Sequence, residues 1–596
     1  MSEYKYPFND IMFSLQSIAN IDRLTPYLEE PVDQGLLEAI LSEAGKLSEQ
    51  IIAPINASGD QEGARIEEGE VQQASGFKEA FHAYAEGGWL SLSGAPEFGG
   101  QGLPSVIATA VNEGIQSANL AFSLCPLLSL GAMEAIHLHA NDELKAQYLP
   151  KMLSGEWAGT MNLTEPGAGS DLAAIACKAT PDGDAFRIQG QKIYITWGDH
   201  QMTDNIIHLV LARLPDAPAG VKGISLFIVP KFLLNDQGES SDRNDLKALS
   251  LEHKMGIHAS PTCVMSFGDQ EGAVGYLVGQ KNEGIKAMFT MMNNARQGVG
   301  LQGLAVAERA YQQALDYSQE RKQGMNAERT ASAAIIEHPD VLRMLMTMKS
   351  QLDAMRSLIY VAAVESDVSH FSNGEEQRKA KARTALYTPI VKGWITEQAQ
   401  EITSLAIQVH GGMGYIEETG VAQFARDARI LPIYEGTNGI QAIDLIGRKL
   451  HVDQGAAMLS LLEDIEAELN AWHNRSHPAK TEKMQANIEA VQDSLTLARD
   501  CTAVCLDSMK SNTTLATALA YDYMMLMGFL VGAWLQIKAE QESLISNTLS
   551  ESEKASWSCS VAFYCDHILP RALGYAHAIK VGQASVDQLS LKAFQR

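Results

Sequence analysis

The chain has 596 residues, with 46 Lys plus Arg against 72 Asp plus Glu, a formal net charge of −26 and a pI near 5.0. So negative a chain excludes nucleic acid or an anionic membrane as its main partner, because phosphate binding needs concentrated Lys and Arg. With 46% hydrophobic and 20% charged residues it is no disordered polymer, and its length predicts several domains with large cores.

Seven Cys without a C-x-x-C pair fit a reducing compartment better than a disulfide framework. Cys501 and Cys505, one helical turn apart, read as buried packing. The N-terminus, MSEYKYPFND, has no apolar or Arg-rich targeting pattern, so a cytoplasmic location is expected. The most membrane-like segment, Tyr523 to Ile537, is bounded by Asp522 and Lys538 and is too short for a stable membrane insertion. It predicts a core helix.

In chain order, an N-terminal extension (1–35) precedes a segment (36–156) whose apolar residues recur at helical spacing, as in QGLLEAILSEAGKLSEQII. From 157 to 280 the pattern changes to short β-rich runs, AFRIQGQKIYIT, NIIHLVLARL and GISLFIVP, with a turn at Asp182-Gly183 and an exposed polar loop from Asn235 to Asp245. Long helical patterns return over 281–451. A further helical block over 452–596 follows a Gly-containing junction. The chain is therefore expected to be mainly α with one inserted β domain and a C-terminal helical extension.

Candidate chemistry lies in four places. In Met161-Asn-Leu-Thr-Glu-Pro-Gly-Ala-Gly-Ser170-Asp171, Pro and two Gly force a tight loop whose N–H groups and hydroxyls can meet an anion or a heterocycle edge. It lacks the G-x-G-x-x-G spacing of a Rossmann site, and a plain turn explains it as well. Strand alternation in Lys192-Ile-Tyr194-Ile-Thr196 puts Tyr194 and Thr196 on one face, which suits a flat ring, and Ile195 on the other. Gln408-Val-His410-Gly411-Gly412 closes a helix, where a simple C-cap is the plain explanation. Glu435 sits in an apolar run before Gly436, and a carboxylate desolvated there would hold a proton near neutral pH, as a general base must; one loop Glu taken alone is more often solvated or paired with Arg. No metal site is expected: His137, His139, His253 and His258 lack ligand spacing and read as structural. No P-loop, G-x-S-x-G or H-E-x-x-H string occurs.

Together, Thr164-Glu-Pro-Gly-Ala-Gly-Ser170-Asp171, Tyr194-Ile-Thr196, Glu320-Arg321-Lys322, Gln408-Val-His-Gly-Gly412 and Arg426-Asp-Ala-Arg429 before Tyr434-Glu435-Gly436-Thr437 resemble, in that order, the acyl-CoA dehydrogenase family. The match covers about Leu36 to Leu450. The opening YKYPFNDIMFSL, the phrase ILPIYEGTNGIQAIDLIGRKL and the extra block resemble the family's long subgroup, which takes 3-methylthiopropanoyl-CoA or ordinary fatty acyl-CoAs.

The resemblance implies FAD, a helical domain, a barrel-like β domain and a helical bundle. By it, Met161, Leu163, Thr164, Gly169 and Ser170 line the flavin, Ser170 also touches the CoA arm, and Tyr194, Ile195 and Thr196 pack near the ring. Thr437 borders the flavin, while Arg321, Gln408 and Gly412 reach the FAD of a second subunit, so a homodimer is implied. Asn293, Arg296, Tyr434 and Gly436 border the acyl-CoA. Glu435 takes the α-proton, its N–H holds the thioester oxygen, and the product is a trans-2-enoyl-CoA. An electron-transfer flavoprotein is the implied electron acceptor; an acyl-CoA oxidase using oxygen is the nearest rival, and a cofactor-free helical scaffold the rival from another class.

Three places depart from the commoner family pattern: Gln323-Gly324-Met325, Pro339 and Gly439 replace residues that often contact FAD, and no contact is carried over to them. Met288, Met291 and Met292 read as core packing ahead of contact with a thioether or alkyl chain.

Overall fold

A computed structural model describes residues 3–475, 480–582 and 585, the side chains of Thr290, Asn293 and Asn294 excepted. The chain forms two compact units, one of Glu43–Gly298 and one of Met1–Ser42 with Val299–Arg596.

The Glu43–Gly298 unit begins with helices: α1 (Phe77–Glu86), α2 (Ser105–Ala118), α3 (Leu120–His139) and α4 (Asp142–Leu153). In α1, Phe77, Ala80, Phe81 and Tyr84 recur at i, i+3, i+4 and i+7 and are all buried, the apolar stripe that docks a helix on a core. Asn119 and Asn141 cap α3 and α4, accepting from the N–H of Phe122 and Leu144. The segment is not wholly helical as expected: Arg65–Glu67 and Glu70–Gln72 form a hairpin, turned at Glu68-Gly69, both with positive φ.

Eight strands follow: β1 (Trp157–Asn162), β2 (Lys178–Asp182), β3 (Ala185–Thr196), β4 (Asn205–Arg213), β5 (Ile224–Pro230), β6 (Leu246–Leu251), β7 (Thr262–Phe267) and β8 (Ala273–Val278). They pair in the order β6-β7-β3-β8-β5-β4-β1, with β2 beside β3 and β4. β1 runs parallel to β4, and β1 is buried at every position. Gly159 lets α3 close on β1, since a Cβ there would lie 2.7 Å from that of Ala132. The polar stretch expected as a loop is itself a small hairpin, Phe232–Leu234 pairing Ser240–Arg243, because only Asn235 to Glu239 is needed for the turn.

A long helix, α5 (Gly284–Glu320), contributes residues to both units. In the second unit, α6 (Pro339–Phe371) and α7 (Gly374–His410) are joined by two residues and pack together along their lengths. Then come α8 (Val421–Ala428), α9 (Asn438–Asp444), α10 (Ala456–Asn474), α11 (Glu482–Ser511), α12 (Thr513–Ile545), α13 (Glu551–Phe563) and α14 (Arg571–Val581). A hairpin of Lys322–Met325 with Ser332–Ala334 interrupts the helices.

α12 contains the stretch from Tyr523 to Ile537, and it is buried within its unit; among the described residues α3 is the other helix long and apolar enough to cross a membrane, and it too is mostly buried. The glycines of α12 explain the fit: a Cβ on Gly528 would lie 2.2 Å from the Trp394 ring, and one on Gly532 would lie 2.5 Å from the Tyr564 hydroxyl. Thus α12 lies directly on α7. Cys501 and Cys505 are buried, and all seven Cys are free thiols.

Candidate active site

In the first unit, the loop after β1 is pinned from beneath by an ion pair. Lys192 on β3, fully buried, reaches the Glu165 carboxylate at 2.7 Å and the Leu163 carbonyl at 3.0 Å. The same carboxylate accepts from the N–H of Ala176 at 2.7 Å and of Cys177 at 3.1 Å. A buried charge pair is tolerable only when its remaining lone pairs are satisfied, as here. Above it, Glu165 and Ala168 exchange backbone hydrogen bonds across Pro166-Gly167, closing the tight turn.

This leaves Leu163 and Thr164 half-buried and Gly169 and Ser170 exposed, while Met161 lies buried on β1. A Cβ on Gly167 or Gly169 would meet nothing within 4 Å, so the loop borders open space. β3 joins the loop through the Ile193 N–H, which donates to the Thr164 carbonyl at 2.9 Å. Past that bond a register shift against β7 accommodates Tyr194 at φ 60°, and the Tyr194 side chain is 60% exposed. Thr196 is half-buried on the same stretch, its carbonyl held by Thr160 at 2.8 Å. The Ile195 side chain points into the core, so any cofactor contact from Ile195 is through its backbone. An exposed aromatic ring, two hydroxyls and an open glycine loop fit the edge and face of a flavin.

The turn carrying Glu435 lies in the second unit, between α8 and α9. Glu435 has φ 55° and Gly436 φ 85°, two successive left-handed residues that reverse the chain. Thr437 caps α9 by accepting from the Ile440 N–H. Asn438 anchors the start of α9: its Oδ1 accepts from Lys392 at 2.8 Å, and its Nδ2 donates to the Gly393 carbonyl at 3.1 Å and to Glu397 at 2.8 Å. Gln441, fully buried, donates to the carbonyls of Glu435 at 3.3 Å and Gly436 at 3.2 Å. On the other side the Tyr434 hydroxyl donates to Gln302 on α5. Burial, then the Glu435 charge, push the Tyr434 phenol far above its ordinary range, so it stays protonated. Glu435 itself is half-buried.

Also in the second unit, Arg321, Gln408 and Gly412 are exposed at helix ends, and the Tyr317 and His410 rings stack with centroids 4.3 Å apart between α5 and α7. Gly411, at φ 60°, caps α7 as expected. Arg296 is buried on α5, with Met288 and Met291, while the Asn293 side chain lies outside the described residues. Among the described residues no cluster of His, Cys, Asp and Glu could hold a metal ion.

Sequence reasoning missed Lys192, Gln302 and Gln441. Two were detectable: Lys192 falls two places beyond Gly190 and four beyond buried Ile188, in the inward phase of a strand. Gln302 interrupts the small and apolar run VGLQGLAVA.

A helical segment, a β domain and further helices, in that order along the chain, make the fold of a flavin-dependent dehydrogenase. Residues 38–156, 160–270 and 282–451 match the N-terminal, middle and C-terminal domains of acyl-CoA dehydrogenases, and 461–590 match the acetyl-CoA dehydrogenase C-terminal-like domain. The chain is 44% identical to 3-methylmercaptopropionyl-CoA dehydrogenase of Ruegeria pomeroyi, over 89% of this chain and 90% of that one. It is 32% identical to a butyryl-CoA dehydrogenase of Syntrophomonas wolfei over 99% of both. An acyl-CoA dehydrogenase of Bacillus anthracis, solved in complex with FAD, superposes with a TM-score of 0.76 at 19% identity, covering 100% of this chain and 96% of that one. The chain belongs to the acyl-CoA dehydrogenase family and is an FAD-dependent oxidoreductase of acyl-CoA thioesters.

Proposed function

We propose that Glu435 is the base that removes the α-proton of a bound acyl-CoA, on the way to the trans-2-enoyl-CoA. The observation that carries this is the Tyr434 to Thr437 turn, in which two left-handed residues and four flanking polar side chains hold the backbone from which the Glu435 carboxylate projects. A thioester α-proton is weakly acidic, so the developing enolate oxygen needs a donor while the base acts. The Glu435 N–H fills that role, and such a preorganised donor contributes on the order of 3 kcal/mol. FAD, when bound, supplies the acceptor for the β-hydride.

Met161, Leu163, Thr164, Gly169, Ser170, Tyr194, Thr196 and the backbone of Ile195 hold FAD, with Thr437 at its border. Ser170, Asn293, Arg296, Tyr434 and Gly436 serve the CoA thioester. Arg321, Gln408 and Gly412, exposed and backed by the Tyr317 and His410 stack, serve the FAD of a second copy in a homodimer. An electron-transfer flavoprotein reoxidises the enzyme, and free thiols at all seven Cys agree with a cytoplasmic setting.

The acyl group is 3-methylthiopropanoyl, by the relative that shares 44% of residues over nine-tenths of its length. The butyryl-CoA relative, aligned end to end at 32%, favours a short unbranched chain as the second reading. Flavin bleaching by 3-methylthiopropanoyl-, butanoyl-, octanoyl- and palmitoyl-CoA separates the two. Glu435→Gln keeps the shape and cannot take a proton; bleaching should slow by on the order of 10⁴-fold. Near-normal bleaching in that variant removes Glu435 from the role.

A further inference from the structure

Asn438 opens α9 three residues after Glu435, and its own N–H donates to the Pro432 carbonyl at 3.0 Å, closing the chain reversal in which Glu435 lies. Its side chain is seated on one stretch of α7. Oδ1 accepts from Lys392 at 2.8 Å, and Nδ2 donates to the Gly393 carbonyl at 3.1 Å, to Thr396 at 3.0 Å and to Glu397 at 2.8 Å. Where the turn sits therefore depends on where residues 392–397 of α7 sit.

That stretch is also a seat of the C-terminal block. Gly393 stands in the middle of a 37-residue helix, where glycine is weaker than alanine. Its place is explained by Met524 on α12, which is fully buried: a Cβ on Gly393 would lie 2.3 Å from the Met524 sulfur and 2.5 Å from its methyl. The next residue, Trp394, meets Gly528 and stands edge-on to Phe529 with ring centroids 5.8 Å apart, both about one turn along α12 from Met524. α9 packs on α12 as well. One buried thioether thus takes the room of a side chain at the residue whose carbonyl holds Asn438. Interiors packed this densely close only partly around a lost side chain, and the groups lining the gap shift.

We propose that Met524 is a positioning residue for the reaction: lodged against Gly393, it fixes the stretch of α7 that seats Asn438, and through Asn438 it fixes the turn that bears Glu435. The C-terminal block is then part of the support of the active site. This rests on the reading of Glu435 as the base.

The step at issue is the cleavage of one α C–H bond, its proton passing to a Glu435 oxygen and its electron pair to the thioester enolate. It is read without oxidation by giving the FAD-loaded enzyme a 3-thiaacyl-CoA, which has sulfur in place of the β-carbon and no β-hydride to lose, and following deuterium uptake at the α-carbon in D₂O by mass spectrometry. At saturating ligand Met524→Ala should slow this exchange about tenfold and Met524→Leu about threefold, the scale expected when a reacting group moves by a fraction of an ångström. Adding Gly393→Ala to Met524→Ala puts a methyl into the vacated space and should restore most of the rate. Leu495→Ala, a truncation of similar size buried on α11 of the same block, should lower the melting temperature and leave the exchange rate unchanged. Amide hydrogen exchange of the FAD-loaded enzyme without the thioester gives an independent reading: the Asn438 N–H should lose protection in Met524→Ala and keep it in Leu495→Ala. A wild-type rate in Met524→Ala, or in Met524→Leu if the alanine variant does not fold, overturns the proposal, as does unchanged Asn438 protection. So does a double variant no faster than its parent, or equal slowing in Leu495→Ala, which is the outcome for a merely structural Met524. Glu435→Gln runs alongside: exchange persisting there overturns the base assignment itself, whereas its loss together with unmoved Met524 rates overturns the Met524 role alone.

Discussion

The loop of Thr164 to Ser170 and the turn of Tyr434 to Thr437 are both short, glycine-bearing and buttressed from the interior, yet they are held by opposite chemistry. Beneath the first lies a full ion pair, Lys192 with Glu165, whose carboxylate also takes two backbone N–H groups. The second is fixed around Glu435 by neutral amides, those of Gln302, Asn438 and Gln441. On the proposed reading the difference has a reason: a loop that only presents donors can sit on fixed charges, whereas the support of a turn whose carboxylate gains and loses a proton is better made of neutral groups.

The largest expected effect breaks the ionic support. Lys192→Met leaves the Glu165 charge buried without its cation, at about 3–5 kcal/mol. The melting temperature should fall, and FAD retention should fall with it, while Lys192→Met combined with Glu165→Gln should recover part of both. Equal loss in the single and double variants would mean that the pair contributes only packing.

The two units should also respond to pH with opposite sign. In the first, burial pushes His200 and His208 down from 6.5 to about 3, so both stay neutral when folded. The unfolded chain protonates them below 6.5, so their contribution is complete above that pH and drains away as pH falls toward 3, by roughly 1.4 kcal/mol per pH unit for each. In the second, burial pushes the Glu540 carboxyl up from 4.5 to about 7. Its contribution is complete below 4.5 and is lost by pH 7, an amount on the order of 3 kcal/mol. Thermal unfolding across pH should therefore flatten on the acid side in a His200→Gln, His208→Gln variant and on the neutral side in Glu540→Gln. An unchanged slope in either would refute that assignment.

A smaller effect is expected at Asn438. Replacement by Ala withdraws the 2.8 Å acceptor from the buried Lys392 ammonium and frees the start of α9, costing about 2 kcal/mol. Because α9 begins two residues after Gly436, the rate of α-deuterium exchange should drop along with the melting temperature. A melting loss with an unchanged exchange rate would show that the turn keeps its geometry without this anchor.

Much of this was legible in the sequence, and the parts that were not share a cause. The switch from helical spacing to β-rich runs at Trp157 and back at Gly284 was plain because periodicity is a local signal, and Tyr523 to Ile537 lies in a buried core helix as expected, although that helix runs on past both flanking charges, from Thr513 to Ile545. The hairpins at Arg65 to Gln72 and at Lys322 to Ala334 were missed, since strands of three or four residues are too short to carry an alternation to read. The loop and the Glu435 turn stood out by composition, whereas their supports did not. Lys192 and Gln302 act through partners 27 and 132 residues away, and a lone polar side chain in an apolar run gives no hint of which distant group it satisfies.

The same substitution in each turn makes the finest distinction. Gly436 sits at φ 85°, where any side chain strains the backbone, so Gly436→Ala should cost the fold about 1 kcal/mol. Gly169 has no left-handed backbone, and a Cβ there meets nothing in the protein, so Gly169→Ala should leave the melting temperature of the FAD-free protein unchanged. On the proposed reading the added methyl meets the flavin, so FAD should bind about tenfold more weakly, equivalent to about 1.4 kcal/mol. A stability loss without a change in FAD affinity at Gly169 would mean that its open side faces solvent alone, and the loop would then be a structural turn with no ligand to meet.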